Sequence, residues 1–314
     1  MTSYNTKQIL EYATDSNFYT ESGFNMWHST NMPRIGEYTE YAFNTIAKNI
    51  QKKDPKDFLN TAKKSISSSY EIFSCCNPPY HSIFNPTQGL VVGRVQSGKT
   101  TSFSLVSAIA ADNNYKIIIH FLGVNDTLLN DNFKSVKKNL GFDNKNLNWK
   151  TERIGDPAKK YQNATGLEQG KIKDLVSVLK SSKNKAPWQK KGETILYLYA
   201  YKLAPRINQA KKILEELQKH LKPGIPILII DDEVDSYSVN TNKIVPGKDA
   251  TATHAALSQL RAVAKNVTYI GYTATTAAIQ FAHHTSFLRP QFHAVIDPGP
   301  GYVGNNAVEQ LPQA

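Results

Sequence analysis

Short apolar runs alternate with helical segments from residue 89 to residue 274, and this rhythm restricts the chain to few folds. Five runs are rich enough in branched and aromatic residues to form buried strands. They occupy residues 89–92, 116–122, 193–201, 226–232 and 267–274. Strands that are apolar along their whole length indicate a parallel sheet covered by helices on both faces. We therefore predict an α/β domain with a parallel sheet.

Helical spacing of apolar residues places helices between these strands, at residues 99–111, 126–140, 205–221 and 251–265. Residues 1–80 precede the domain and are predicted to form a helical segment, which ends at the two prolines Pro78 and Pro79. The domain itself is predicted over residues 81–304, with a tail at residues 305–314. The rhythm breaks at about residues 141–192, which we interpret as a Lys-rich insertion.

Residues 93–100 have the pattern G-x-x-x-x-G-K-T between a predicted strand and a predicted helix. This pattern and setting are typical of a loop whose backbone amides surround phosphate groups, followed by a helix with a positive N-terminal end. Lys99 is expected to contact the β- and γ-phosphates of ATP and to serve catalysis, and the Thr100 hydroxyl to bind Mg²⁺. The predicted nucleotide-binding residues are Gly93, Arg94, Val95, Gln96, Ser97, Gly98, Lys99, Thr100 and Thr101.

Four carboxylates end the apolar run that begins at residue 226: Asp231, Asp232, Glu233 and Asp235. Carboxylates this close repel one another, so a protein keeps them together mainly where a cation binds. In phosphate-loop ATPases a carboxylate at such a strand end holds Mg²⁺. We assign Asp232 to the metal and Glu233, as a catalytic residue, to the attacking water. A register shifted by one residue, with Asp231 and Asp232 in these roles, stays open.

The positive charge of the chain is concentrated in one stretch. Residues 131–222 hold 21 Lys and Arg against nine Asp and Glu, a net charge of +12, whereas the whole chain carries +11. A local basic surface attracts a polyanion such as nucleic acid. A solvated insertion with lysines for solubility is the alternative. Trp149 and Trp188 lie in this stretch, either to stack on bases or to form the core of a small packed unit.

Other sequence features bear on the cellular location of the protein. The sequence has no apolar run of eighteen residues, and its N-terminus is polar, so we expect neither a membrane span nor a signal peptide. The only two cysteines, Cys75 and Cys76, are adjacent and lack the spacing of a zinc site or of a disulfide framework. We therefore expect a cytoplasmic protein.

Small and hydroxylic residues close the last predicted strand, at Thr273, Ala274 and Thr275. Alone, this run is weak, because small residues after a strand usually serve packing. In order after the phosphate loop and the acidic run, it resembles the S/T-A-T element of superfamily II helicases. That element links the state of the γ-phosphate to the nucleic-acid site. The resemblance implies coupling roles for Asp235, Thr273, Ala274 and Thr275.

Longer phrases carry a narrower resemblance. GLVVGRVQSGKT, ILIIDDEVDSYSVN, YIGYTATTAAI and RPQFHAVIDPGPGYVG resemble the bacterial helicase-like family that carries the Z-one domain, over about residues 89–304. That family is associated with MORC-type ATPases in phage-defence or restriction loci. The resemblance implies a RecA-like phosphate-loop NTPase that binds ATP and Mg²⁺ and acts on nucleic acid, DNA more than RNA. Thr276 stands where the family has proline, which loosens the turn but removes no reactive group.

The name of that family refers to an endonuclease, but the residues here do not support one. We find no PD…(D/E)-x-K arrangement, no H-N-H cluster and no Cys/His zinc spacing. Relatives also continue into a second RecA-like domain, which supplies an arginine finger worth about 10³–10⁵ in rate. Only ten residues follow Gly304. We therefore expect the chain to need a second RecA-like domain or a partner subunit, and to bind ATP far better than it hydrolyses it.

Three functions compete at this point. The leading hypothesis is the ATP-binding first RecA-like half of a helicase-like motor, an ATP hydrolase that acts on nucleic acid. The alternative is a nucleotide-switched scaffold or subunit with little turnover of its own. A small-molecule kinase with the same loop is the third, and the acidic and T-A-T runs weigh against it.

Overall fold

One eight-stranded sheet forms the centre of the molecule. The structure, a computed structural model, describes residues 18–20, 33–79, 86–93, 98–123, 125–156, 164–168, 170–180, 194–221, 224–234, 251–263, 265–274 and 289–296. The strands are β1 (Phe18–Thr20), β2 (Thr87–Gly93), β3 (Ile117–Phe121), β4 (Trp149–Arg153), β5 (Ile195–Ala200), β6 (Ile227–Asp231), β7 (Val267–Thr273) and β8 (Phe292–Ile296). Their order across the sheet is β1-β8-β2-β7-β6-β3-β5-β4.

Strands β2 to β8 pair in parallel, and only the three-residue β1 runs antiparallel, at the edge beside β8. The helices are α1 (Glu37–Lys53), α2 (Phe58–Ser74), α3 (Lys99–Asp112), α4 (Asp126–Leu140), α5 (Lys171–Lys180), α6 (Ala204–Gln218) and α7 (Ala252–Val263). The predicted α/β class is confirmed, as are the flanking helices and the helical N-terminal segment. The architecture is consistent with a RecA-like fold.

The two faces of the sheet carry separate helical layers, because side chains alternate between the faces of a strand. In β6, Leu228 and Ile230 pack into the core formed with α1, α2, α3 and α4. Ile227 and Ile229 pack into the opposite core, formed with α5, α6 and α7. Strands covered on both faces are apolar throughout, which is why their positions could be predicted closely.

The two N-terminal helices belong to the same layer as α3. Phe43 of α1 and Phe73 of α2 are fully buried in the core that contains Phe103 of α3. Gly36 precedes α1 and offers no side chain to cap it. The carboxylate of Asp112, at the end of α3, instead accepts hydrogen bonds from the amides of Gly36 and Thr39 and from the Thr39 hydroxyl, at 2.6–3.0 Å. Helices α1 and α2 therefore pack directly against the α/β core.

Part of the predicted insertion extends the sheet. Strand β4 pairs in parallel with β5 and forms the outer edge of the sheet. Its sequence, WKTER, is too polar to resemble a buried strand. Trp149 lies within 5.0 Å of Tyr38 and 5.3 Å of Phe142, ring centre to ring centre, in edge-on contacts. The structure therefore shows Trp149 as a partly buried residue packed against the main core of the sheet, and not as the core of a separate packed unit. Trp188 lies outside the described residues.

Two further strands did not show in the apolar pattern. In β8 buried and exposed residues alternate, since one of its faces is only partly covered. Strand β1 is three residues long and pairs through its backbone. Short or half-exposed strands lack the continuous apolar pattern of buried strands, so neither β1 nor β8 was predicted from the sequence.

Candidate functional site at the carboxyl edge of the sheet

The three sequence landmarks meet at one edge of the sheet. Strand β7 lies between β2 and β6, and all three are parallel, so their carboxyl ends are neighbours. Val92 pairs with Thr273, and Asp231 pairs with Gly271. In open α/β sheets, ligands bind in the crevice outside these carboxyl ends. The order of the strands thus brings the loop, the acidic run and the T-A-T run together.

The phosphate loop is described at its two ends. Gly93 is the last residue of β2, and Gly98 is the N-cap of α3 with a φ of +91°. Among the described residues, the nearest atom to a Cβ added at Gly98 is the Thr101 Cβ at 4.0 Å, so the positive φ is the feature that calls for glycine. Lys99, Thr100 and Thr101 open α3. The remaining loop residues Arg94, Val95, Gln96 and Ser97 lie outside the described residues.

The first turn of α3 points its free amides toward this edge. The earliest helical hydrogen bond runs from the Ser102 amide to the Gly98 carbonyl, at 2.9 Å. The amides before Ser102 have no acceptor within the helix, as at every helix start. Together with the helix dipole they form a positive pole suited to an anion. Lys99 adds a full positive charge at the same place.

The alternation of β6 separates the first two aspartates of the acidic run. Asp231 is the last strand residue and points to the α6 and α7 side, as Ile229 does. Asp232 follows it and continues the side of Ile230, which faces α3. Among the described residues, no three His, Cys, Asp or Glu side chains are grouped so that they could hold a metal ion. The expected grouping of carboxylates is therefore not seen among Asp231, Asp232 and Glu233.

Asp231 is bound within the protein. Its side chain and that of Lys202 are both fully buried, and the Lys202 Nζ lies 2.8 Å from its Oδ1. The Tyr269 hydroxyl donates a hydrogen bond to Oδ2. Both carboxylate oxygens thus have strong partners on the face away from α3. This geometry favours Asp232 over Asp231 as the carboxylate that serves a ligand at the loop.

Asp232 is only 6% exposed and lies near the Lys99 ammonium. Burial raises the pKa of its carboxyl to about 6, and the nearby Glu233 adds to the rise, while Lys99 and Lys202 oppose it. A buried carboxylate that holds its proton this firmly is incompletely solvated in its ionised form. A cation bound beside it would stabilise that form.

Glu233 has a left-handed backbone, with a φ of +55°. Residues other than glycine rarely adopt this conformation, which costs roughly 1–3 kcal/mol. Its amide donates a 3.0 Å hydrogen bond to Oδ1 of Asp232, which ties the two candidate residues together. Strained backbone of this kind is common at functional sites. The strain is an observation independent of the motif, and it falls on the residue assigned to catalysis.

Lys202 is a residue of this candidate site that the sequence did not single out. It comes two residues after β5, at the same edge of the sheet, and its side chain reaches past the end of β3 to the acidic run. The only signal was a lysine directly after an apolar strand. Lysine usually points into water there, so the residue did not stand out from the other lysines of the basic stretch.

Strand β7 contacts both partners of the site. Gly271 leaves room for Val234, since a Cβ at Gly271 would meet the Val234 side chain at 3.2 Å. The Tyr272 hydroxyl lies 3.2 Å from the Ser102 hydroxyl of α3. Of the predicted coupling residues, Thr273 is fully buried at the end of β7 and Ala274 follows it. Asp235 and Thr275, like Thr276, lie outside the described residues.

Several charges of the basic stretch are already balanced within the protein. Lys137, Lys171 and Lys219 form ion pairs of 3.0, 2.7 and 2.6 Å with Asp143, Glu152 and Glu216. Lys202 is buried. Residues 181–191, which hold four of the lysines, lie outside the described residues. The net charge of +12 already includes these three carboxylates, so their ion pairs do not lower it further. The burial of Lys202 against Asp231, which lies outside the stretch, does lower the charge available to a polyanion.

Scanned against protein-family models the chain matches none, and a search of curated proteins finds no match either. Within the described ranges no helix is long and apolar enough to cross a membrane. What this edge of the sheet does is therefore inferred from its own residues.

The different surroundings of Asp231 and Asp232 predict opposite effects of the same substitution on stability. Asp231→Asn leaves the buried Lys202 without its counter-charge and should lower the free energy of unfolding by about 3–5 kcal/mol. Asp232→Asn removes a carboxyl whose pKa is raised, so it should stabilise the fold, by roughly 1–3 kcal/mol.

The stabilisation by Asp232→Asn should depend on pH. The cost of ionising Asp232 in the folded state is absent below pH ~4 and complete above pH ~6. The free energy of unfolding gained by Asp232→Asn should therefore increase as pH rises between these values. Urea unfolding of both variants at pH 5 and pH 8 measures this. Equal destabilisation by both substitutions at pH 8 would contradict the split between the two faces.

Proposed function

We propose that this chain binds ATP with Mg²⁺ at the carboxyl edge of its sheet and is the first RecA-like half of a helicase-like nucleic-acid motor. The observation that carries the proposal is that the strand order brings the start of α3, with Lys99, and the end of β6, followed by Asp232, to the same edge of the sheet. The two residues lie 133 positions apart in the sequence, and Lys99 opposes the rise in the pKa of Asp232. A cationic residue at a helix N-terminus beside a buried carboxylate is the arrangement that a magnesium-bound triphosphate requires.

The donor set fits Mg²⁺. This ion prefers oxygen ligands and retains several waters, so one or two protein ligands and the phosphates suffice. Asp232 offers a carboxylate with a raised pKa, whose ionised form a cation would stabilise, and the Thr100 hydroxyl lies in the first turn of α3. When bound, the ion would neutralise charge on the β- and γ-phosphates.

The protein residues have separate tasks in this proposal. The free amides at the start of α3 and the ammonium of Lys99 hold the phosphates. Glu233 orients a water for attack on the γ-phosphate and accepts its proton. Thr273 and Ala274, at the end of the strand between the loop and the acidic run, transmit the state of the phosphates to the nucleic acid. The S/T-A-T resemblance supplies the last role.

Nucleotide binding is tested by Lys99→Ala. The side chain lies at the edge of the sheet, outside the core, so the substitution should keep the fold while lowering ATP affinity by at least about tenfold, or 1.4 kcal/mol. Isothermal calorimetry with Mg·ATP measures this, and Lys48→Ala, at an exposed position of α1, is the control. Equal affinity in the Lys99 variant and the wild type would refute the assignment.

Chemistry is separated from binding by Glu233→Gln. The amide keeps the shape of the side chain but cannot take a proton, so ATP should still bind while turnover falls by about 10²-fold or more. Steady-state phosphate release, with Glu40→Gln on the exposed side of α1 as control, gives the rate. A Glu233→Gln variant with wild-type turnover would refute the catalytic assignment of Glu233. Wild-type binding without turnover, with or without DNA, would favour the nucleotide-switched scaffold.

Nucleic-acid binding is tested by charge reversal in residues 183–191. Contacts to phosphates release counterions, so binding should weaken steeply with salt and show little sequence preference. Changing Lys183, Lys185, Lys190 and Lys191 to Glu should lower both DNA affinity and its salt slope, and leave ATP affinity unchanged. The matched control reverses four exposed lysines of the N-terminal part, Lys48, Lys52, Lys56 and Lys64. An equal loss of DNA affinity in both variants would show a general effect of net charge and no nucleic-acid site in residues 183–191.

A further inference from the structure

A fully buried lysine lies directly beneath the acidic turn. The ammonium of Lys202 is 2.8 Å from Oδ1 of Asp231, and it donates hydrogen bonds of 2.7 Å to the carbonyl oxygens of both Asp232 and Glu233. Two of the three N–H donors of the ammonium thus have carbonyl acceptors, and the carboxylate of Asp231 balances its charge at ion-pair distance. The main chain of Lys202 is anchored too, since its amide donates a hydrogen bond to the Gly123 carbonyl at 2.8 Å.

The ion pair alone does not account for this arrangement. Burying a lysine and a carboxylate costs several kcal/mol per ion, and a hydrophobic pair of similar volume is often as stable. Two of the three contacts of Lys202 are to the main chain of the turn, where they set its conformation. The lysine thus acts on the shape of the turn as well as on the charge of Asp231.

The two carbonyls belong to the peptide planes that meet at the Cα atom of Glu233. Each peptide unit is rigid, so anchoring both oxygens on one ammonium restricts φ and ψ of Glu233 together. That residue is the one in the left-handed region, at a φ of +55°. The direction of its side chain follows from the orientation of the two planes. Lys202 therefore offsets the strain that Glu233 would otherwise release by turning over.

We infer that Lys202 is a positioning residue, which holds the turn of Asp232 and Glu233 so that both carboxylates face the phosphate loop. The inference rests on the proposed function, since the loop is where the magnesium-bound nucleotide would lie. Lys202 does not touch the nucleotide, because it lies on the opposite side of the turn, with Asp231 and Tyr269. It acts on the magnesium site through the main chain of the turn, besides the direct effect of its charge on Asp232.

Two variants separate positioning from general stability. Lys202→Met combined with Asp231→Asn removes the clamp and leaves no unpaired buried charge, so the fold should survive better than with either change alone. Tyr269→Phe is the matched control. It takes one hydrogen bond from Asp231 in the same buried network but leaves all three contacts of Lys202 in place. Thermal melts of both variants establish the temperature at which each stays folded.

The first readout needs no nucleotide. Amide hydrogen exchange over residues 227–234, followed by mass spectrometry, reports on the turn, where the Asp232 amide is bonded to the Phe121 carbonyl. Exchange should speed up in the double variant and not in Tyr269→Phe. The second readout is calorimetry of ATP with and without Mg²⁺. Without magnesium the double variant should match the wild type, but its gain in affinity from magnesium should fall by about 10–100-fold, as for other residues that orient metal ligands.

The outcomes distinguish the two proposals. A wild-type chain that gains no ATP affinity from magnesium would overturn the proposed function and, with it, the role of Lys202 toward the metal. If the wild type does gain affinity, and the double variant keeps both the full gain and slow exchange of the turn, the positioning role is wrong while the proposed function stands. In Tyr269→Phe, Lys202 keeps its contacts. If this variant loses as much of the magnesium-dependent increase in ATP affinity as the double variant does, the positioning role of Lys202 is also wrong.

Discussion

Adjacent side chains at the end of a strand point to opposite faces of the sheet, and the site depends on this constraint at the end of β6. Asp231 points toward α6 and α7 and is neutralised by Lys202, while Asp232 faces α3 and Lys99. A shift of one residue would exchange the two carboxylates. The parallel pairing of β6 with β3 and β7 holds this register, so the sheet as a whole decides which aspartate is available to a ligand.

The buried network and the strained turn form one unit. Lys202 is held in the interior by Asp231 and by two carbonyls, and one of those carbonyls belongs to the residue with the left-handed backbone. A buried network of paired charges resists movement, because any displacement would separate a buried charge from its partner. Such rigidity suits a site where carboxylates must already be in place before a nucleotide binds. The strain at Glu233 is thereby balanced by contacts on the far side of the turn.

The position of β7 gives the site a route to the rest of the molecule. Its backbone pairs with β2 on one side and with β6 on the other, and its Tyr272 lies 3.2 Å from Ser102 of the loop helix. In the proposed function, a displacement at the phosphates would reach this strand through both of its neighbours. Thr273 and Ala274, at its end, are thus well placed for the coupling role that the helicase resemblance implies.

The sequence by itself determined the class of fold and most of the helices and strands, because buried parallel strands are apolar throughout and the loop motif requires a strand before it and a helix after it. The half-exposed β4 and β8 lacked that pattern. Only the tertiary structure showed that Asp231 is paired with the buried Lys202 and that Lys202 lies beneath Glu233. Those partners come from strands distant in the sequence, and a lysine buried by such contacts has the same local sequence as one in solvent.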